Sequence, residues 1–196
     1  MAVARSVSSR TVRLIVALAI AATSMPLRAQ ERPPQNAPTR DVDITLQITR
    51  PGVAPIVERR RWSAGQHLRR VDGPDSAATI FDLRKGELIL LNPANRTYRT
   101  LQGAATKRMS PPKATRVKRG EEATIAGLTC SDWSWLDGIE THTACLTPDG
   151  VLLRLIVDGH IVAEARSVVY APQPADLFEI PPGYQPALAP DGDPVD

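Results

Sequence analysis

Aromatic residues are scarce in this chain, 4 % of 196, and there are only two cysteines and three histidines. Each shortage excludes something. So few aromatics leave little to stack on bases, which argues against a single-stranded nucleic-acid platform. His67, His142 and His160 show no ligand spacing, and no Cys/His/carboxylate cluster accompanies them, so no metal site is expected. There is no Gly-x-Ser-x-Gly, no Gly-rich phosphate loop and no Cys-x-x-Cys. These absences leave no recognisable catalytic motif and name no cofactor. The reading is therefore non-enzymatic. No apolar run reaches the roughly 20 residues a membrane-spanning helix needs. Asn95-Arg96-Thr97 matches a glycosylation acceptor, a pattern common by chance.

What is present begins with an export signature. Arg5, Arg10 and Arg13 precede the apolar stretch Leu14–Ala22, and a small-residue exit follows at Ala29. Residues 1–29 are expected to be a cleaved signal peptide, with the remaining chain in the periplasm. They hold four of the 24 basic residues and no acidic one, so the mature chain carries 20 against 21, a net charge of −1 rather than +3. The basic character of the whole chain thus belongs mainly to the signal and implies no nucleic-acid partner. Residues 30–40 read as a flexible leader and 185–196 as a disordered tail, since both are proline-punctuated and poor in large apolar residues.

Between those ends the period is two. Val42, Ile44, Leu46 and Ile48 alternate with polar residues, the pattern of a half-buried strand, and Pro51-Gly52 ends it. Further strand pairs flank Ser63-Ala64-Gly65, Lys85-Gly86 and Asn92–Asn95. A two-residue turn at Lys85-Gly86 sets Leu83 opposite Leu88 and Phe81 opposite Leu90. Residues 102–114, with Pro111-Pro112, read as a loop or short helix. Asp137-Gly138, Asp149-Gly150 and Asp158-Gly159 then recur as hairpin turns, so residues 41–184 are expected to form an all-β domain with minor helix.

A turn centred on Asp137-Gly138 places Cys130 directly opposite Cys145, within the roughly 4.4–6.8 Å that a disulfide needs. Fourteen residues separate the two, so the bridge reads as a structural staple rather than a redox pair. The same turn puts His142 opposite Trp133. A turn at Asp149-Gly150 puts Leu146 opposite Leu153 and Ala144 opposite Leu155. One face then collects Trp133, Trp135, His142, Leu146, Leu153 and Leu155, the candidate ligand-facing residues. The tryptophans either fill a core or line a cavity. The turn at Asp158-Gly159 would set Glu164 beside Leu153, unless a bulge intervenes. The basic strands at Arg59–Arg61 and Arg69-Arg70, with Lys113, Arg116, Lys118 and Arg119, suit either anionic headgroups or a solvated outer face.

Gly127-Leu128-Thr129-Cys130-Ser131-Asp132-Trp133, Ala144-Cys145-Leu146-Thr147-Pro148-Asp149-Gly150, Val168–Phe178 and Pro181-Pro182-Gly183-Tyr184 resemble the signature of an uncharacterised family of exported proteobacterial proteins, similar to the LolA/LolB-like lipoprotein carriers. The resemblance covers residues 41–184 and implies a strongly curved antiparallel meander. This is a half-barrel of about 10–11 strands whose concave side can hold an acyl chain. The expected function is a periplasmic binding protein for a lipid, an acylated protein or another hydrophobic ligand. The alternative is an envelope protein-interaction or sensing module whose cavity is filled by side chains.

Overall fold

A computed structural model describes residues 37–102 and 118–187. Residues 1–36, 103–117 and 188–196 lie outside the described residues, and with them the expected signal peptide, most of the expected leader, loop segment and tail. Two meanders make the fold. The first runs through β1 (Val42–Arg50), β2 (Val53–Ser63), β3 (Leu68–Asp72), β4 (Ala78–Asp82), β5 (Glu87–Asn92) and β6 (Thr97–Gln102). The second runs through β7 (Lys118–Ile125), β8 (Leu128–Asp137), β9 (Glu140–Leu146), β10 (Leu152–Val157) and β11 (His160–Val169). Pairing of β1 with β11 joins them, and β12 (Gln185–Pro186) adds in parallel to β6, so one unclosed sheet has twelve strands. The all-β class holds, with one strand beyond the expected count. Helix among the described residues is limited to two 3-10 turns, Pro74–Ser76 and Ala175–Phe178.

Turn chemistry sets the registers, and several differ from the expected ones. Gly138 has φ 64° and is the first central residue of a Gly138-Ile139 turn, which pairs Asp137 with Glu140. Glycine at that place suits a type II′ hairpin. Cys145 therefore faces Asp132, not Cys130, and His142 faces Trp135, not Trp133. The bond between Cys130 and Cys145 forms across a diagonal, with Cα atoms 5.4 Å apart. The β4–β5 loop holds four residues, not two. Asp82 Oδ1 accepts hydrogen bonds from the backbone N–H of Arg84 and Lys85, both at 2.9 Å, which draws Leu83–Gly86 into the loop. Phe81 then faces Leu88.

The Asp149-Gly150 turn is also one residue longer than expected. Gly150 N–H donates to the Thr147 carbonyl, and Thr147 N–H donates to that of Val151. The ladder regains its register through a bulge between Leu152 and Arg154, so Leu146 faces Leu152 and not Leu153. Leu155 does face Ala144. A second bulge, between Leu155 and Ile156, sets Glu164 opposite Arg154 instead of beside Leu153.

Both expected loose ends are partly fastened. Trp62 Nε1 donates to the Pro38 carbonyl at 2.6 Å, and Thr39 N–H donates to the Asp149 carbonyl at 3.0 Å. Asp41 accepts from the backbone N–H of Ala64 and of Gln173. Residues 37–40 are therefore bound to the domain rather than a free leader. At the other end, Gln185 and Ala187 donate their N–H groups to the carbonyls of Arg96 and Tyr98. Just upstream, Phe178 packs with Ala78, Ile80 and Leu91, and Leu177, Ile180 and Tyr184 join them. A larger cluster gathers Val42, Ile44, Leu46, Trp62, Val151, Leu153 and the disulfide.

Candidate functional site

Two flanks of the sheet converge on one cavity of about 240 Å³. The first flank supplies Ile44 from β1, Arg60 from β2 and Arg69 from β3. Pairing puts them on one face, since Ile44 lies opposite Arg60 while Trp62, two residues on, lies opposite Arg69. The second flank supplies Trp135 from β8, His142, Ala144 and Leu146 from β9, and Leu152 and Leu155 from β10. These also share a face through the pairs Trp135–His142, Ala144–Leu155 and Leu146–Leu152. Laid flat, the six strand steps from β3 to β8 would span roughly 29 Å. A single cavity lined by both requires the sheet to curl. Pro38, Gly150 and the exposed Asp137 complete the wall.

Of the residues singled out from the sequence, Trp135, His142, Leu146 and Leu155 sit on this wall. Trp133 shares their face without lining the cavity, packed in a cluster with Ala144, Leu146, Trp135, Leu152 and Leu155. Leu153 does not share that place. The bulge turns it into the cluster with the disulfide, where it is fully buried. Leu152 takes the position assigned to it. Trp135 and His142 stack with centroids 5.5 Å apart and planes 21° from parallel, and His142 Nε2 lies 3.3 Å from Glu140 Oε2.

The consecutive arginines divide between the two faces, as strand alternation demands. Arg59, Arg61 and Arg70 point away from the cavity into ion pairs. Arg59 binds Asp43, Arg61 lies 3.0 Å from Asp72 and 3.7 Å from Asp43, and Arg70 lies 2.8 Å from Asp72. The two carboxylates offset the like charges of Arg61 and Arg70, which are directly opposed. On the cavity face Arg60 pairs with Glu58. Arg69 has no carboxylate partner among the described residues. Its guanidinium lies 4.1 Å over the Phe81 ring, and its Nε is buried without a hydrogen bond. Burial, reinforced by the Arg60 charge and only partly opposed by the Glu58 carboxylate, pulls its pKa down to about 10, so it remains protonated at neutral pH. Ile44, Arg60 and Arg69 escape a reading of local hairpins, because the curl that brings them here depends on strands far apart in sequence.

Among the described residues no group of three His, Cys, Asp or Glu side chains could hold a metal ion, and no helix is long and apolar enough to cross a membrane.

No protein-family model and no curated protein matches the sequence. Solved structures do share the fold. An uncharacterised conserved protein from Thermus thermophilus aligns with a TM-score of 0.54 at 13 % identity, over 75 % of this chain and 89 % of that one. The MucA/MucB complex of Pseudomonas aeruginosa contains a chain that aligns with a TM-score of 0.55 at 12 % identity, over 79 % of this chain and 60 % of that one. A LolA superfamily protein from Nitrosomonas europaea aligns with a TM-score of only 0.34 at 11 % identity, over 74 % and 91 %, and carries no weight here. At such identities the likeness is one of fold: an open, curled and mostly antiparallel sheet.

Proposed function

We propose that the protein is a non-catalytic binding protein of the cell envelope that holds a hydrophobic ligand in the cavity between β1–β3 and β8–β10. The observation that carries this reading is the wall itself. Ile44, Trp135, Ala144, Leu146, Leu152 and Leu155 present apolar surface to a space that no side chain of the described residues fills. Its volume lies just below the roughly 300–1,000 Å³ usual for small-molecule sites, which suits one alkyl segment better than a bulky multi-chain lipid. Each methylene moved from water into such a space contributes about 0.8 kcal/mol. The disulfide and the export signature support a periplasmic setting.

The direct experiment is titration of the folded, disulfide-bonded protein with a fluorescent fatty acid. Saturable uptake with one-to-one stoichiometry, reversed by unlabelled fatty acid, supports the reading. Absence of uptake by correctly folded protein rejects it.

A second reading has its own observation. Leu136 and Ile139, at the tip of the β8–β9 hairpin beside the cavity wall, are 67 % and 99 % exposed. Exposed apolar side chains at a loop tip suit a protein partner, and the similar chain from Pseudomonas aeruginosa was solved as a complex. Capture of an envelope protein that is lost in Ile139→Ser, while fatty-acid uptake persists or is absent from the start, would favour this role.

A further inference from the structure

The polar groups on the cavity wall are mismatched, and the mismatch specifies a ligand. Arg69 contributes a positive charge with a buried, unpartnered Nε–H, and Trp135 contributes a buried, unpartnered indole N–H. Arg60 is already committed to Glu58. The carboxylate on the wall, Asp137, sits at the exposed hairpin end and forms no ion pair with Arg69. Buried donors without acceptors cost stability, and a buried charge without a counter-charge costs more. Here two unpartnered donors lie beside an apolar hollow, and the carboxylate that acts on the Arg69 charge, Glu58, is bonded to Arg60 instead. A ligand that supplies acceptor oxygens and negative charge would satisfy the donors, while its alkyl part covers Leu146, Leu152 and Leu155.

We infer that the cavity takes a single-chain amphiphile with an anionic headgroup, a carboxylate or a phosphate, whose oxygens are received by Arg69. This deepens the proposed binding function and rests on it. The planar guanidinium suits both headgroups, because its fork of N–H donors matches two oxygens at once. Phe81 holds the guanidinium plane from one side. That support leaves its N–H edge available and limits the rotamer freedom lost when the ligand binds.

The experiment compares four probes against the full-length mature protein at pH 7.5: decanoate, decyl phosphate, neutral decanol, and inorganic phosphate. Decanoate and decyl phosphate are expected to bind at least about ten-fold more tightly than decanol, as a charge-assisted hydrogen bond warrants. Arg69→Met should remove that preference, the anionic probes falling to the affinity of decanol for the same variant, and Arg69→Lys should keep part of it. Failure of inorganic phosphate to compete identifies the headgroup of an amphiphile as the ligand's anion. Competition by inorganic phosphate would mean a free-anion site and overturn the amphiphile assignment. Equal binding of decanoate and decanol by the wild-type protein, which needs no variant, would overturn the role of Arg69 while leaving a hydrophobic cavity intact. If no decyl probe binds, the binding function itself fails.

Discussion

Cys130 and Cys145 are bonded across a diagonal of the β8–β9 ribbon, while the residue facing Cys145 in the ladder is Asp132. Asp132 in turn lies 3.3 Å from Arg154 on β10. The bridge and this ion pair fasten three consecutive strands, and both cysteines are fully buried against Val42, Leu46 and Leu153. The bond thus staples β8 to β9 within the second meander, and its sulfurs pack in one cluster with β1 of the first.

Removing the bridge in a Cys130→Ala/Cys145→Ala variant should lower unfolding stability by about 3 kcal/mol, the chain-entropy value for a loop of this size. Urea unfolding with and without reductant measures it. Reduction should shift the wild-type midpoint and leave that of the double variant in place. A wild-type midpoint indifferent to reductant would mean that the bond does not staple the fold.

Asp149 fastens the segment entering β1. It receives hydrogen bonds from Thr147 at 2.6 Å, Arg40 at 3.0 Å and Tyr170 at 3.0 Å, and Arg40 lies 3.8 Å over the Tyr170 ring. Burial pushes the Asp149 carboxyl upward, but these three hydrogen bonds outweigh it and hold the pKa below the usual 3.8. A depressed carboxylate pKa stabilises the fold above the unfolded value and loses that contribution as pH falls through the folded one. Asp149→Ala should therefore cost about 1–2 kcal/mol at pH 7. The difference from wild type should shrink below about pH 4. Equilibrium unfolding at pH 7 and pH 3 tests both halves, and a gap that is unchanged at pH 3 contradicts the assignment.

Arg69 has the opposite sign. Its folded pKa of about 10 lies below the ordinary guanidinium value, so the charge disfavours folding throughout the neutral range. As pH rises through about 10, the folded chain gives up its proton before the unfolded one, and the penalty fades. Arg69→Met should raise the stability of the ligand-free protein at pH 7 by about 1 kcal/mol. That is the relief of burying the charge, partly offset by the lost cation–π contact of roughly 0.5–2 kcal/mol. A marked loss of stability in urea would show that Arg69 is there to hold the fold.

Trp135 lies on the cavity wall, while Trp62 and Trp133 are buried in packed clusters and do not line it. Ligand entry should quench or shift tryptophan emission, and Trp135→Phe should remove most of the change while leaving the fold intact by circular dichroism. A ligand-induced change that survives in Trp135→Phe places the ligand elsewhere.

Much of the architecture was legible because strand alternation is a local property. Val42, Ile44 and Leu46 announce β1, and Asp158-Gly159, with φ of 47° and 80°, forms its two-residue turn where the sequence puts it. The Gly138-Ile139 turn moved the β8–β9 register by two residues. A two-residue slip preserves the face of every side chain, so Trp135, His142 and Leu146 still share a surface. One residue is different. The longer turn after Thr147 and its compensating bulge carried Leu153 to another cluster and Leu152 to the wall. Arg69 was hidden for another reason. Whether its neighbour is a carboxylate, a ring or a hollow depends on the curl of six strand steps, and nothing within β3 records that.

Native mass spectrometry of the purified protein after incubation with a total bacterial lipid extract tests the central claim most directly. A single non-covalent adduct of one anionic single-chain amphiphile per protein, released on collisional activation, is expected. A homogeneous ligand-free mass, from protein whose disulfide is intact, would contradict it.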